Sequence, residues 1–152
     1  MILVKAGDLR RFTQYISFFF LLSLSSIALA QDVAIGGYSP VSYFTKNIAE
    51  KGSPEFSVQY EDKTYYLASA DQVALFNENP VKYGPRYHYC AYSVVLGTPL
   101  PLDPTNFKIV GDTLLLFHVT EESNGKFLWE NSNKTNEFLL DVADGNFKLL
   151  EF

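Results

Sequence analysis

Thiols, thioethers and imidazoles are scarce: the 152-residue chain has one cysteine, one methionine and two histidines. A lone Cys makes no internal disulfide and no multi-thiolate zinc centre. Charge is also sparse, at 19 %, and basic residues are the minority, 12 against 17 acids. The formal charge of -5 comes without the clustered Lys and Arg of a nucleic-acid surface, so no nucleic-acid partner is expected. No Gly-x-Ser-x-Gly elbow, His-Glu-x-x-His pair or phosphate loop occurs in the chain. Without a catalytic motif the expectation is a protein that is not an enzyme and has no cofactor. No internal repeat or low-complexity tract is visible. What is abundant is apolar surface, with 47 % hydrophobic residues and 16 % aromatics. That much buriable area excludes intrinsic disorder, and the length fits one domain.

Residues 1–30 have the layout of a cleavable export signal. Lys5, Arg10 and Arg11 form the positive start, residues 16–24 (ISFFFLLSL) the apolar middle, and Ala28-Leu29-Ala30 the small-x-small site before Gln31. The apolar run is shorter than the roughly 20 residues a spanning helix needs. The chain is therefore expected in the periplasm or secreted, cut between Ala30 and Gln31. No stable membrane association is expected after cleavage, because the remainder is acidic and anionic lipid repels it. Met1 leaves with the signal, and with it the chain's thioether.

Beyond the signal, residues 31–152 read as a single domain, with a core over 38–119 and a helical segment over 120–146. Phe56-Ser57-Val58-Gln59-Tyr60 and Thr64-Tyr65-Tyr66-Leu67-Ala68 flank Glu61-Asp62-Lys63, the pattern of a β-hairpin. A second hairpin is predicted over 106–110 and 113–119, joined by Gly111-Asp112. The proline- and glycine-bearing stretches 45–54 and 98–104 read as loops. Ser69-Ala70-Asp71-Gln72 predicts a helix start as a capping box, the Gln72 side chain returning to the Ser69 N–H. Residues 90–96 form a short helix ending at Gly97. After 120 the apolar spacing turns helical, with Gly145 as its stop. Asn133-Lys134-Thr135 is a glycosylation sequon, used only in a eukaryotic secretory host.

The hairpin and helix resemble the YHS domain, whose core runs Tyr-x-Gly-Lys-x-Tyr-Tyr-Phe-x-Ser, then a helical Phe, then Pro-x-Lys-Tyr. Here the corresponding residues are Tyr60, Lys63, Tyr65, Tyr66, Leu67 and Ser69, then Phe76, then Pro80, Lys82 and Tyr83. Gly37-Tyr38-Ser39-Pro40-Val41-Ser42-Tyr43-Phe44, Tyr89-Cys90-Ala91 and Ala143-Asp144-Gly145-Asn146 are similar to segments of its exported members. The resemblance implies an α+β fold of small antiparallel hairpins packed with short helices. It also implies an exported, non-enzymatic binding or accessory module whose partner is a small ligand or a protein. Metal-trafficking members have cysteines at positions matching Ser42, Ala68 and Gln72. A Ser, an Ala and a Gln do not rebuild a thiolate site, so that role does not transfer. Asp62 also replaces the hairpin Gly, and His88 stands where exported members have Gly-Gly, one residue longer.

Two candidate sites remain. In an extended strand His88 and Cys90 face the same way, so an imidazole and a thiol share one side. That pair is the alternative reading: a soft-metal or thiol-redox protein handling copper or another soft transition metal, with His118 as a third ligand. The competing expectation is that Cys90 is a small buried hydrophobe and His118 a packing residue. The tyrosines crowd around the first hairpin, and Tyr43, Tyr65, Tyr66, Tyr87 and Tyr89 are candidates for an aromatic cleft.

Overall fold

Backbone punctuation sets out the elements. In the computed structural model, which describes residues 32–150, a 3-10 turn over Ala34–Gly37 leads into helix α1, Pro40–Lys46. Pro40 opens that helix where its missing N–H is no loss, and Asn47 ends it in the left-handed conformation, φ 55°. Strand β1 (Ser53–Tyr60) turns at Glu61-Asp62 into β2 (Lys63–Leu67). Helix α2 (Ala70–Glu78), the single turn α3 (Pro80–Tyr83) and helix α4 (Ala91–Val95) follow. A second hairpin, β3 (Asp103–Val110) with β4 (Thr113–Phe117), leads to α5 (Gly125–Glu130) and α6 (Asn136–Leu150). The class is α+β, two antiparallel two-stranded sheets packed with short helices. The expected export signal lies outside the described residues. Among the described residues no helix is long and apolar enough to cross a membrane.

The two hairpins repeat one design fifty positions apart. Ser57 pairs with Tyr66 and Phe107 with Leu116; Tyr60 pairs with Lys63 and Val110 with Thr113. The register slips at the same place in each, between Ser53 and Ser57 and between Asp103 and Phe107. A helix precedes each hairpin (α1, α4) and another follows it (α2, α5). The lead-ins match as well: Val33 bridges Thr64, and Pro85 bridges Leu114. Ser39 N donates to Glu50 O at 2.8 Å, and Cys90 N donates to Leu100 O at 2.9 Å. An internal structural repeat therefore exists where none was visible in the sequence. Across the paired strands and their turns, Pro54/Pro104 and Asp62/Asp112 are the identical pairs. Both strands also begin before their prolines, inside stretches expected as loops. Where the register slips, the ladder does not need the missing N–H.

Strand β4 joins the two halves. Its run Leu114-Leu115-Leu116-Phe117 is buried on both faces, the pattern of an interior strand. Leu114 and Leu116 pack with Val41, Tyr43, Leu67 and Phe76 of the first half. Leu115 and Phe117 face the other way, against Cys90, Val94, Trp129, Leu139 and Ala143. Helix α6 does not stop at Gly145 as expected but runs through it to Leu150. A helical Gly costs roughly 1 kcal/mol against Ala, and tertiary contacts offset it. Asn146 Nδ2 donates to the carbonyls of Val94 and Val95 at 3.0 and 2.9 Å, and Phe147 packs on Tyr87 with ring centroids 5.2 Å apart.

Candidate functional site

The parallel bridge from Pro85 to Leu114, with Arg86 N donating to Leu114 O at 3.0 Å, pins residues 85–87 along β4. This places Arg86 and Tyr87 opposite Asp144 of α6. Arg86 Nε and Nη2 donate to the two Asp144 oxygens at 2.7 and 2.5 Å, and Tyr87 Oη donates to Oδ1 at 2.7 Å. The guanidinium holds the Asp144 carboxyl below the usual carboxylate range, and burial pushes the Tyr87 phenol up. Around this knot open two adjoining cavities of about 850 and 860 Å³ that share Glu61, Tyr65, Pro85, Arg86 and Phe147. Tyr60 and Lys148 line the first, and His88 and Tyr89 the second.

Of the five tyrosines expected to form a cleft, Tyr65, Tyr87 and Tyr89 line these cavities. Tyr43 does not: it is fully buried, its hydroxyl donates to Pro104 O at 2.8 Å, and its ring meets Phe107 at 4.8 Å. Tyr66 does not either, because adjacent strand residues face opposite ways: its ring lies over Gly37, and its backbone and Cβ take up the space beside Gly52. Arg86, Asp144 and Phe147 were not foreseen as site residues. The signal for Asp144 and Phe147 lies in α6, where Leu140, Ala143 and Phe147 recur at helical spacing with an acid, Asp144, set beside that stripe; no local pattern marks Arg86.

His88 and Cys90 do not share a side. Residues 84–90 form bends rather than a strand, so the alternation that would align them is absent. His88 is exposed and lies against Phe147, with centroids 5.1 Å apart, while Cys90 is fully buried in the second core cluster. The thiol meets the other histidine: Cys90 Sγ is 3.1 Å from His118 Nδ1, and His118 Nε2 is 2.8 Å from Ser123 Oγ. Gly125 makes room for the pair, since a Cβ there would come within 2.8 Å of Sγ and 2.9 Å of Nδ1. Among the described residues no group of three or more His, Cys, Asp and Glu is placed to hold a metal ion.

Ser42, Ala68 and Gln72 are brought together, but as a hydrogen-bonded polar node. Ser69 Oγ accepts from Gln72 N at 3.3 Å, as the helix cap requires. The Gln72 side chain does not return to Ser69. Its Oε1 instead accepts from Ala68 N at 3.0 Å and from Ser39 Oγ at 2.6 Å, and its Nε2 donates to Ser42 Oγ at 2.9 Å. Ser42 in turn donates to Glu50. Searches of family models, of curated proteins and of solved structures find no match to this chain.

Proposed function

We propose that this chain is an exported, non-enzymatic binding module of the YHS type, and that its ligand is a small molecule seated between the two hairpin repeats. The observation supporting this reading is the paired cavity around Arg86 and Tyr65. Each part, at about 850 and 860 Å³, falls in the roughly 300–1,000 Å³ range of small-molecule sites. Its wall mixes aromatic faces (Tyr60, Tyr65, Phe147) with a few polar groups that fix orientation. Cys90 and His118 support a thiol function less well, because the sulfur is fully buried and a reactive thiol is a partly exposed one.

Ligand-observed NMR with a fragment library tests the proposal. Val81 is 77 % exposed on the rim of the first cavity, so Val81→Trp adds bulk at the mouth without touching the core. Fragments are expected to bind the protein and to lose at least about tenfold in affinity to Val81→Trp. A library with no hits, or hits indifferent to the substitution, would defeat the reading.

A further inference from the structure

Tyr65 is the residue around which this cavity is organised. The residue is 8 % exposed, its ring is packed against Phe76 with centroids 4.9 Å apart, and its backbone is fixed by the pairing with Val58. Its hydroxyl makes no hydrogen bond to a described residue. Among the described residues every fully buried side-chain nitrogen or oxygen has a partner. The Tyr65 hydroxyl is therefore the wet end of a buried side chain that lines both cavities, and it lies beside Gly84 in the wall of the first. Gly84 leaves it room, since even a Cβ there would stay 3.9 Å away. Burial and the Glu61 carboxylate push this phenol up, which keeps it protonated and able to donate.

Arg86 stands in the same shared wall. Two of its nitrogens are committed to Asp144, and Nη1 makes no hydrogen bond to a described residue. Lys82 and Lys148 add positive charge to the first cavity. The acids of that cavity differ in position and availability. Asp144 already accepts from Arg86 and Tyr87. Glu61 and Asp112 are exposed at the two hairpin turns, on the rim. Tyr65 Oη and Arg86 Nη1 are thus two donors without a partner on residues of the wall that both cavities share, and Phe147 adds an apolar ring to the same wall. Charge-assisted bonds from such donors to a carboxylate are about twice as strong as neutral ones.

We infer that the cavity takes a small organic carboxylate with a flat apolar body, its carboxylate anchored by Tyr65 Oη and Arg86 Nη1. The inference rests on the binding-module reading and names its ligand class. The occupant is held by a hydroxyl that the fold itself does not use, which makes Tyr65→Phe a clean probe.

The test titrates the protein with phenylacetate, with its neutral isostere phenylacetamide and with benzyltrimethylammonium, following binding by NMR. Phenylacetate is expected to bind at least about tenfold tighter than phenylacetamide, and Tyr65→Phe to weaken phenylacetate about tenfold with an unchanged melting midpoint. The comparison of the two isosteres needs no variant, so it stands even if Tyr65→Phe folds poorly. Equal binding of the isosteres, tighter binding of benzyltrimethylammonium, or an unaltered affinity in Tyr65→Phe would each overturn the carboxylate inference. If such probes still compete with Val81→Trp-sensitive fragments, the binding-module reading survives that failure. If nothing seats in the cavity, both fall.

Discussion

Gln72 shows how far a residue's role lies from its local sequence. Its backbone N–H satisfies the Ser69 cap three positions away, and that contact is legible because both partners sit in one turn. Its side chain serves Ser42 and Ser39, thirty and thirty-three positions back, which no local pattern reveals. With Gln72 only 6 % exposed, removing it leaves the Ser39 hydroxyl and the Ala68 N–H without their acceptor in the interior. Stranding a buried polar group costs about 1–3 kcal/mol. Gln72→Ala is therefore expected to lose about 2–4 kcal/mol in urea melts. Ser69→Ala, which removes one half-buried cap, should lose about 0.5–2 kcal/mol. Equal losses, or the reverse order, would show that the helix cap and not the polar node is what ties α2 to α1. The same contrast explains Cys90. The spacing to His88 is visible in the sequence, whereas the contact with His118 spans 28 positions and depends on how two elements meet.

Helix α6 is held to the rest of the chain by its apolar face and by a handful of polar contacts, and one of those polar groups titrates. Asp144 binds the Arg86 fork and the Tyr87 hydroxyl, and the fork depresses its pKa. A carboxyl depressed in the folded state adds stability above its unfolded value, near 4, and that stability is lost as pH falls through the lower folded value. Lys46 depresses Glu50 and Lys108 depresses Glu130 in the same direction, so the acid limb is shared. Asp144→Asn should lower the urea midpoint at pH 7, and the gap from the parent should close as pH drops below about 4. A gap constant from pH 7 to pH 3 would mean the ion pair adds nothing that depends on charge. As elements, both hairpins, the α2 start and the α4 segment were legible in the sequence, because alternation, caps and turn residues are local signals. The course of α6 through Gly145 was not, since a glycine reads as a stop until Asn146 and Phe147 are seen to have partners on another element.

On the scale of the whole molecule, the repeated hairpin does not make two separate halves, and β4 is the reason. The fifty-residue repeat escaped the sequence because backbone register is kept while side chains are exchanged: β2 keeps Lys63 and Tyr66 half-buried, whereas β4 is apolar and buried from Leu114 to Phe117. The cavity escaped it for a related reason, since its wall combines the turns of both hairpins, residues 84–87 and α6. Leu114 and Leu116 complete the core of the first half, and Leu115 and Phe117, one residue over on the same strand, complete that of the second. Loosening either cluster must therefore pull on a strand that the other needs. The chain's single Trp, Trp129, lies in the second cluster, 1 % exposed and 5.7 Å from Phe117, so its fluorescence reports that half. Phe76 lies wholly in the first cluster, against Tyr65 and Tyr60. Phe76→Leu keeps the site apolar but leaves it smaller, at a cost of about 1–2 kcal/mol. If β4 couples the halves, that substitution lowers the urea midpoint seen by Trp129 fluorescence as much as the midpoint seen by far-UV circular dichroism. A Trp129 midpoint that stays in place while the dichroism shifts would mean that the halves unfold independently, and the shared strand would then be a contact without cooperativity.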